Sequence, residues 1–109
     1  MAQQHAQSGQ VISVAPLGEG LAQARTTAIF KSEQLEVARI VLLAGKEFPE
    51  HRVQGEITVQ CIEGQLEFRA SGVQQTMGPG DFIHLRRHEP HALRAITDTS
   101  LLLTMCLAA

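Results

Sequence analysis

The sequence contains no tryptophan and no tyrosine, and four phenylalanines are its only large aromatic side chains. It also lacks any basic run, and its formal net charge is −2. Proteins that bind single-stranded nucleic acids stack bases on aromatic rings and track the backbone with basic grooves. We therefore predict that the protein does not bind nucleic acid.

Long hydrophobic segments are absent as well. The longest apolar run, residues 101–109, is about half as long as a membrane-crossing helix needs to be. The first ten residues have neither a basic start nor an apolar centre, so they do not resemble a secretion signal. These absences predict a soluble, cytoplasmic protein without a membrane partner.

Several catalytic and metal-binding patterns are missing too. The two cysteines, Cys61 and Cys106, are too few for a cysteine-rich zinc site, and their apolar surroundings are typical of reduced core residues. There is no Gly-x-Ser-x-Gly elbow and no glycine loop of the phosphate-binding kind. The sequence thus gives no support to a serine hydrolase or to a nucleotide-binding loop.

The chain does have a series of short, β-rich segments separated by turn residues. Residues 32–45 are also compatible with a helix, but their β-branched centre favours a strand. Gly-Pro-Gly at 78–80 cannot lie inside a helix or a central strand. We predict an all-β sandwich or barrel, with one domain over 11–109 after a flexible N-terminus at 1–10 and room for a short helical turn. The predicted strands cover 26–31, 35–44, 57–62, 65–70, 73–77, 81–85, 91–96 and 100–107.

Two of the five histidines stand at the entrances of predicted strands. His91 shares strand parity with Leu93 and Ala95, and His51 shares it with the apolar positions of 57–62. Both imidazoles are therefore predicted to point into an apolar interior. A buried imidazole needs either a hydrogen-bond partner, such as a backbone carbonyl, or a metal ion, and both interpretations stay open here.

The spacing of these residues resembles the two motifs of the cupin superfamily. Gly45, His51 and Gly64 stand at matching positions of the first motif, and Gly80 and His91 at matching positions of the second. The resemblance covers about residues 35–107. It implies a small RmlC-like cupin, with the double-stranded β-helix of a jelly-roll barrel.

The resemblance also implies a divalent metal site, because cupins bind a metal through three histidines and a glutamate. His51 and His91 match two of these ligands, so a metal ion, Fe, Mn, Ni or Zn, is implied at this pair. Val53 replaces the second histidine of the first motif, and Ile57 replaces its glutamate. Neither side chain can coordinate a metal, so the implied site is incomplete.

Glu56, His84 and Arg52 are further candidates for the pocket. Regular pleating points Glu56 away from Ile57, but a bulge at Gly55 would turn it inward as a third ligand. His84 is a candidate for the same role, since it alternates with apolar neighbours. Arg52 is a candidate for orienting a bound molecule.

Three functions remain open. The loss of two ligands favours a small organic molecule bound in the barrel, with or without a metal at His51 and His91. The first alternative is a metal-dependent dioxygenase, isomerase or decarboxylase. The second is a metal-free structural or sensing cupin. The resemblance also implies a homodimer, with residues 26–31 and 100–107 at its contact.

Overall fold

The computed structural model describes residues 5–107. Within them the chain forms one 3₁₀ helix, Gly18–Gln23, and nine strands. No helix in this part of the chain is long and apolar enough to cross a membrane. The strands are β1 (Thr27–Lys31), β2 (Leu35–Leu42), β3 (Glu47–His51), β4 (Ile57–Glu63), β5 (Leu66–Ala70), β6 (Val73–Met77), β7 (Phe82–Leu85), β8 (His91–Ala95) and β9 (Thr99–Cys106).

The strands form two antiparallel sheets. The larger sheet has the order β1-β2-β9-β4-β7, and the smaller one has the order β3-β8-β5-β6. The predicted all-β jelly roll is confirmed, and the segment that was compatible with a helix is strand β2. One strand escaped prediction. β3 contains Pro49, which is tolerated because β3 lies at a sheet edge and its register shifts between Phe48 and His51.

The core lies between the two sheets and takes alternate residues from each strand. Ile57, Val59 and Cys61 of β4 are all buried, as their strict alternation requires. They meet Leu66 and Phe68 of the smaller sheet in the same hydrophobic cluster. Burial raises the pKa of the Cys61 thiol to about 11, so this cysteine stays protonated and fits the expected core role.

The N-terminal part of the described chain contacts the larger sheet on the face opposite this core. The backbone amide of Ala6 donates a hydrogen bond to the carbonyl of Ile29 in β1, over 2.7 Å. Further along, the amides of Leu17 and Gly18 donate to the carboxylate of Glu63 at the end of β4. This segment therefore covers part of the outer face.

Candidate functional site

His51 and His91 lie directly opposite each other on the paired strands β3 and β8. Their ring centroids are 4.3 Å apart, and the ring planes are inclined by 57°. His91 is buried, with 4% of its surface exposed, whereas His51 is exposed at the rim. The two imidazoles are thus neighbours, but only His91 is buried in the interior that was predicted for both rings.

Each of these imidazoles is fixed by a hydrogen bond to the backbone. Nδ1 of His51 lies 3.0 Å from the carbonyl oxygen of Pro49, and Nδ1 of His91 lies 3.0 Å from that of Glu89. A carbonyl oxygen can only accept, so each neutral ring carries its proton on Nδ1. The lone pair is then on Nε2, where it can accept a hydrogen bond or bind a cation.

The environment of His91 keeps this ring neutral. Burial lowers its pKa, and the neighbouring His51 lowers it further, while the bond to the Glu89 carbonyl works in the opposite direction. The ring of Phe68 packs against His91, with centroids 5.9 Å apart and planes only 9° from parallel. His91 therefore presents an unprotonated Nε2 on an immobilised ring.

The histidine pair borders a small cavity of about 80 Å³ between the two sheets. Among the described residues that line it, the two histidines are the only polar ones. The other lining residues are aliphatic or aromatic side chains from both sheets: Ile40, Phe48, Ile57, Val59, Leu93, Leu101 and Leu103. The cavity thus offers an apolar space with a single polar corner.

The other candidate pocket residues lie elsewhere. Glu56 and His84 contact each other, with 2.7 Å between Oε1 and Nε2, and both side chains are about half exposed. Glu56 is not turned inward at Gly55, and neither side chain borders the cavity. Arg52 is exposed and does not line it either. The structure therefore brings together His51 and His91 but not Glu56, His84 or Arg52.

The sequence of residues 38–107 matches the family model of the cupin domain. The chain belongs to the cupin family. Solved cupin structures have the same fold. A cupin superfamily protein from Desulfitobacterium hafniense DCB-2 is 14% identical and has a TM-score of 0.77, with 94% of this chain and 100% of that chain covered.

Two further structures are similar to this cupin. An RmlC-like cupin from Shewanella frigidimarina NCIMB 400 is 20% identical (TM-score 0.75), and 97% of this chain and 93% of that chain are covered. A conserved protein of unknown function from Streptococcus pyogenes is 18% identical (TM-score 0.75), and 100% of this chain and 96% of that chain are covered. Among curated protein sequences none matches the chain. At these identities the likeness shows the fold alone.

The ligand set of this cupin does not fit a metal held by the protein alone. Ile57 lies at the position of the family's glutamate and lines the cavity, and Val53 packs half-buried against the core. In residues 5–107 no three His, Cys, Asp or Glu side chains are grouped closely enough to hold a metal ion. Two imidazoles leave most of a coordination sphere unfilled. Metal binding by His51 and His91 therefore stays a prediction.

Sequence reasoning missed a second polar cluster in this cupin. Arg39, Glu63 and Ser100 are buried or nearly so on the outer face of the larger sheet. One signal pointed to it, since Arg39 interrupts the otherwise apolar run 37–43. The sequence gives no signal that Glu63 and Ser100 belong to this cluster, because the pairing of β4 with β9 and a β-bulge in it bring the two residues together.

Proposed function

We propose that this cupin binds a small organic molecule whose apolar part enters the cavity and whose polar group meets the histidine pair. The observation that carries the proposal is the paired imidazoles, fixed through Nδ1, at the one polar corner of an apolar space. Such a combination of apolar walls and a few oriented polar groups is typical of small-molecule sites.

The size of the cavity limits the ligand. Its 80 Å³ is well below the roughly 300 Å³ at which most ligand pockets begin. Only a short apolar group fits inside, so the polar end of the ligand lies towards His51 at the rim. Because His91 is neutral, its Nε2 accepts a hydrogen bond from a hydroxyl or a protonated acid group of the ligand.

The test is a binding titration with short branched alcohols and acids, followed through the imidazole signals of His51 and His91 by NMR. We expect saturable shifts at both rings for isobutanol, and weaker ones for isobutyric acid, which is ionised at neutral pH and then cannot donate to Nε2. Replacing His91→Gln should weaken binding about tenfold, because a hydrogen bond to an unprotonated nitrogen is lost. His84→Gln is the matched control, because His84 is paired with Glu56 on the outer face. Absence of saturation, or equal loss in both variants, would overturn the proposal.

A divalent metal shared with the ligand is the second candidate. It is supported by two adjacent imidazoles whose Nε2 atoms carry lone pairs. The missing ligands would come from the small molecule or from water, so the metal, Fe, Mn, Ni or Zn, would exchange easily. If the metal binds, the protein could be a metal-dependent dioxygenase, isomerase or decarboxylase. If neither a metal nor an organic ligand binds, a structural or sensing role is left.

Elemental analysis of tag-free protein incubated with these metals, in the presence and absence of a short branched alcohol or acid, tests the second candidate. We expect uptake by the wild type, and we expect the double variant His51→Ala/His91→Ala to stay folded and to bind none. Fewer than about a tenth of a metal ion per chain in the wild type would exclude this candidate and leave the metal-free proposal intact.

We also propose that the protein is a homodimer, as its family suggests. Strand β1 lies at an edge of the larger sheet, whereas β9 is hydrogen-bonded on both sides, so only β1 of the two expected contact segments offers a sheet edge. Sedimentation equilibrium should give twice the chain mass. A monomer at every concentration would contradict the dimer.

A further inference from the structure

We propose that Arg39 forms a second binding site, for a carboxylate or phosphate group, on the outer face of the larger sheet. This site lies on the opposite side of the sheet from the histidine cavity and does not depend on the function proposed for that cavity. Three observations support it. The guanidinium of Arg39 is buried, the nearby carboxylate of Glu63 already accepts hydrogen bonds from other groups, and an open cavity borders Arg39.

The guanidinium of Arg39 is buried without a full set of partners. Arg39 lies in the middle of β2, and its neighbour Ile40 packs against the core, so Arg39 points to the other face. Only 8% of the residue is exposed. Its Nη1 atom is fully buried and has no hydrogen-bond partner within the described part of the chain. Because Nη1 is closed to solvent, a ligand in a neighbouring cavity can meet Arg39 only through the other atoms of its side chain.

The nearest carboxylate, Glu63, does not supply that acceptor. Its Oε2 is 4.0 Å from Nη1 of Arg39, beyond hydrogen-bonding distance. Its oxygens already accept hydrogen bonds from the amides of Leu17 and Gly18 and from the hydroxyl of Ser100. Burial alone would raise the pKa of Glu63, but these hydrogen bonds and the positive charge of Arg39 together outweigh it and lower the pKa. Glu63 is thus ionised, and its carboxylate oxygens already accept three hydrogen bonds from groups other than Arg39.

An open space borders Arg39. A cavity of about 560 Å³ separates the N-terminal segment 5–13 from β1 and β2, and Arg39 lines it. None of the described residues that line this cavity is acidic. Those with polar side chains, apart from Arg39 and His5, carry hydroxyl or amide groups, such as Thr27, Ser13 and Gln10. The described lining therefore combines a guanidinium with hydroxyl and amide groups that can donate hydrogen bonds.

These features select an oxyanion as the ligand. The planar guanidinium pairs with carboxylate or phosphate oxygens in a two-pronged geometry, and hydroxyl and amide donors can complete their coordination. The volume of the cavity lies within the range of small-molecule pockets. A small organic acid and a phosphate ester share this chemistry, and the experiment separates them.

The experiment is an amide NMR titration of the full chain with three probes: inorganic phosphate, succinate and neutral succinamide. We expect saturable shifts at Ala6, Thr27 and Ile29 with at least one of the two anions, and none with succinamide. The anion that binds more tightly identifies the preferred group. No saturation with either anion up to about 10 mM, or shifts confined to other residues, would overturn the proposal.

Variants test the role of Arg39 itself. Arg39→Met should weaken anion binding by about tenfold or more, because a charged hydrogen-bond donor is lost. The matched control is Arg69→Met, which removes an exposed arginine from the smaller sheet and should change nothing. If Arg39→Met does not fold, Arg39→Lys keeps the charge but loses the two-pronged geometry, and it should also bind more weakly. Unchanged affinity in a folded Arg39 variant would contradict the site.

Discussion

The inner cavity and the outer face of the larger sheet each bury a basic side chain, His91 in one and Arg39 in the other. Inside, the imidazole is surrounded by apolar residues and a second imidazole, and its pKa is lowered by burial. Outside, the guanidinium lies 4.0 Å from an ionised carboxylate, Glu63. The two sites hold their basic groups in different charge states.

The difference follows from the chemistry of the two groups. An imidazole loses its proton near neutral pH, so burial turns it into a neutral hydrogen-bonding group. A guanidinium stays charged in proteins, so it can be buried only with an anion nearby. The inner imidazole is therefore neutral, whereas the outer guanidinium keeps its charge beside the carboxylate of Glu63.

Removing the aromatic ring that packs against His91 should have the largest effect, and it should affect the inner site alone. Phe68 is 1% exposed and packs on His91, so Phe68→Ala should lower the free energy of unfolding by about 4 kcal/mol. Urea denaturation measures the loss, and anion binding at Arg39 should be unchanged in the folded variant. A loss below about 2 kcal/mol would show that the core closes over the gap.

Removing the carboxylate of Glu63 should have the next largest effect on the free energy of unfolding. Glu63→Ala deletes three hydrogen bonds and leaves Arg39 buried without a counter-charge, at a cost of about 3 kcal/mol in urea denaturation. Glu67→Ala is the control, because the Glu67–Arg94 pair is more exposed and should cost less than about 1 kcal/mol. If Glu63→Ala and Glu67→Ala lower the free energy of unfolding equally, the Arg39–Glu63 pair is no more important for stability than the exposed Glu67–Arg94 pair.

The lowered pKa of His91 predicts a pH dependence of stability. Below its ordinary value of 6.5 the unfolded chain gains a proton that the folded chain resists. The free energy of unfolding should therefore fall as the pH drops below 6.5, until the folded pKa is reached, with a slope of at most about 1.4 kcal/mol per pH unit from this group.

Denaturant titrations over this pH range measure the slope. The variant His91→Gln should lose this contribution, whereas His84→Gln on the exposed face should keep it. If the slope is the same in His91→Gln and in the wild type, another group causes it.

The smallest effect is expected for the exposed pair of Glu56 and His84. Both side chains are about half exposed, so Glu56→Gln should change the free energy of unfolding by less than about 0.5 kcal/mol. Ligand or metal binding at the histidine pair should also be unaffected. A clear loss of binding would place Glu56 in the site after all.

The strands and the histidine pair were predictable because both depend on local patterns. Alternation in β4 fixed which residues face the core, and the spacing of His51 and His91 matched a known pair of motifs. Of the two orientations considered for Glu56, the structure has the one expected from regular pleating, away from the cavity, and Gly55 has another role. A side chain there would place its Cβ 1.8 Å from the carbonyl oxygen of Cys106, so glycine is needed for close packing of two backbones.

The outer site was not predictable, because no local pattern creates it. Arg39 and Glu63 lie on strands separated by β9, and a register shift between Cys61 and Glu63 turns the carboxylate to the outer face. The hydrogen bonds that occupy Glu63 come from the amides of Leu17 and Gly18, which any residue except proline could donate. Such contacts are fixed by tertiary structure alone.

The protonation state of His91 is the most direct test of the inner site. Nitrogen chemical shifts of the His91 ring, recorded at neutral pH, distinguish the two neutral tautomers from the charged form. We predict a proton on Nδ1, bonded to the Glu89 carbonyl, and an unprotonated Nε2 whose signal moves when a short alcohol is added. A charged ring, or a proton on Nε2 with Nδ1 unprotonated, would contradict the account.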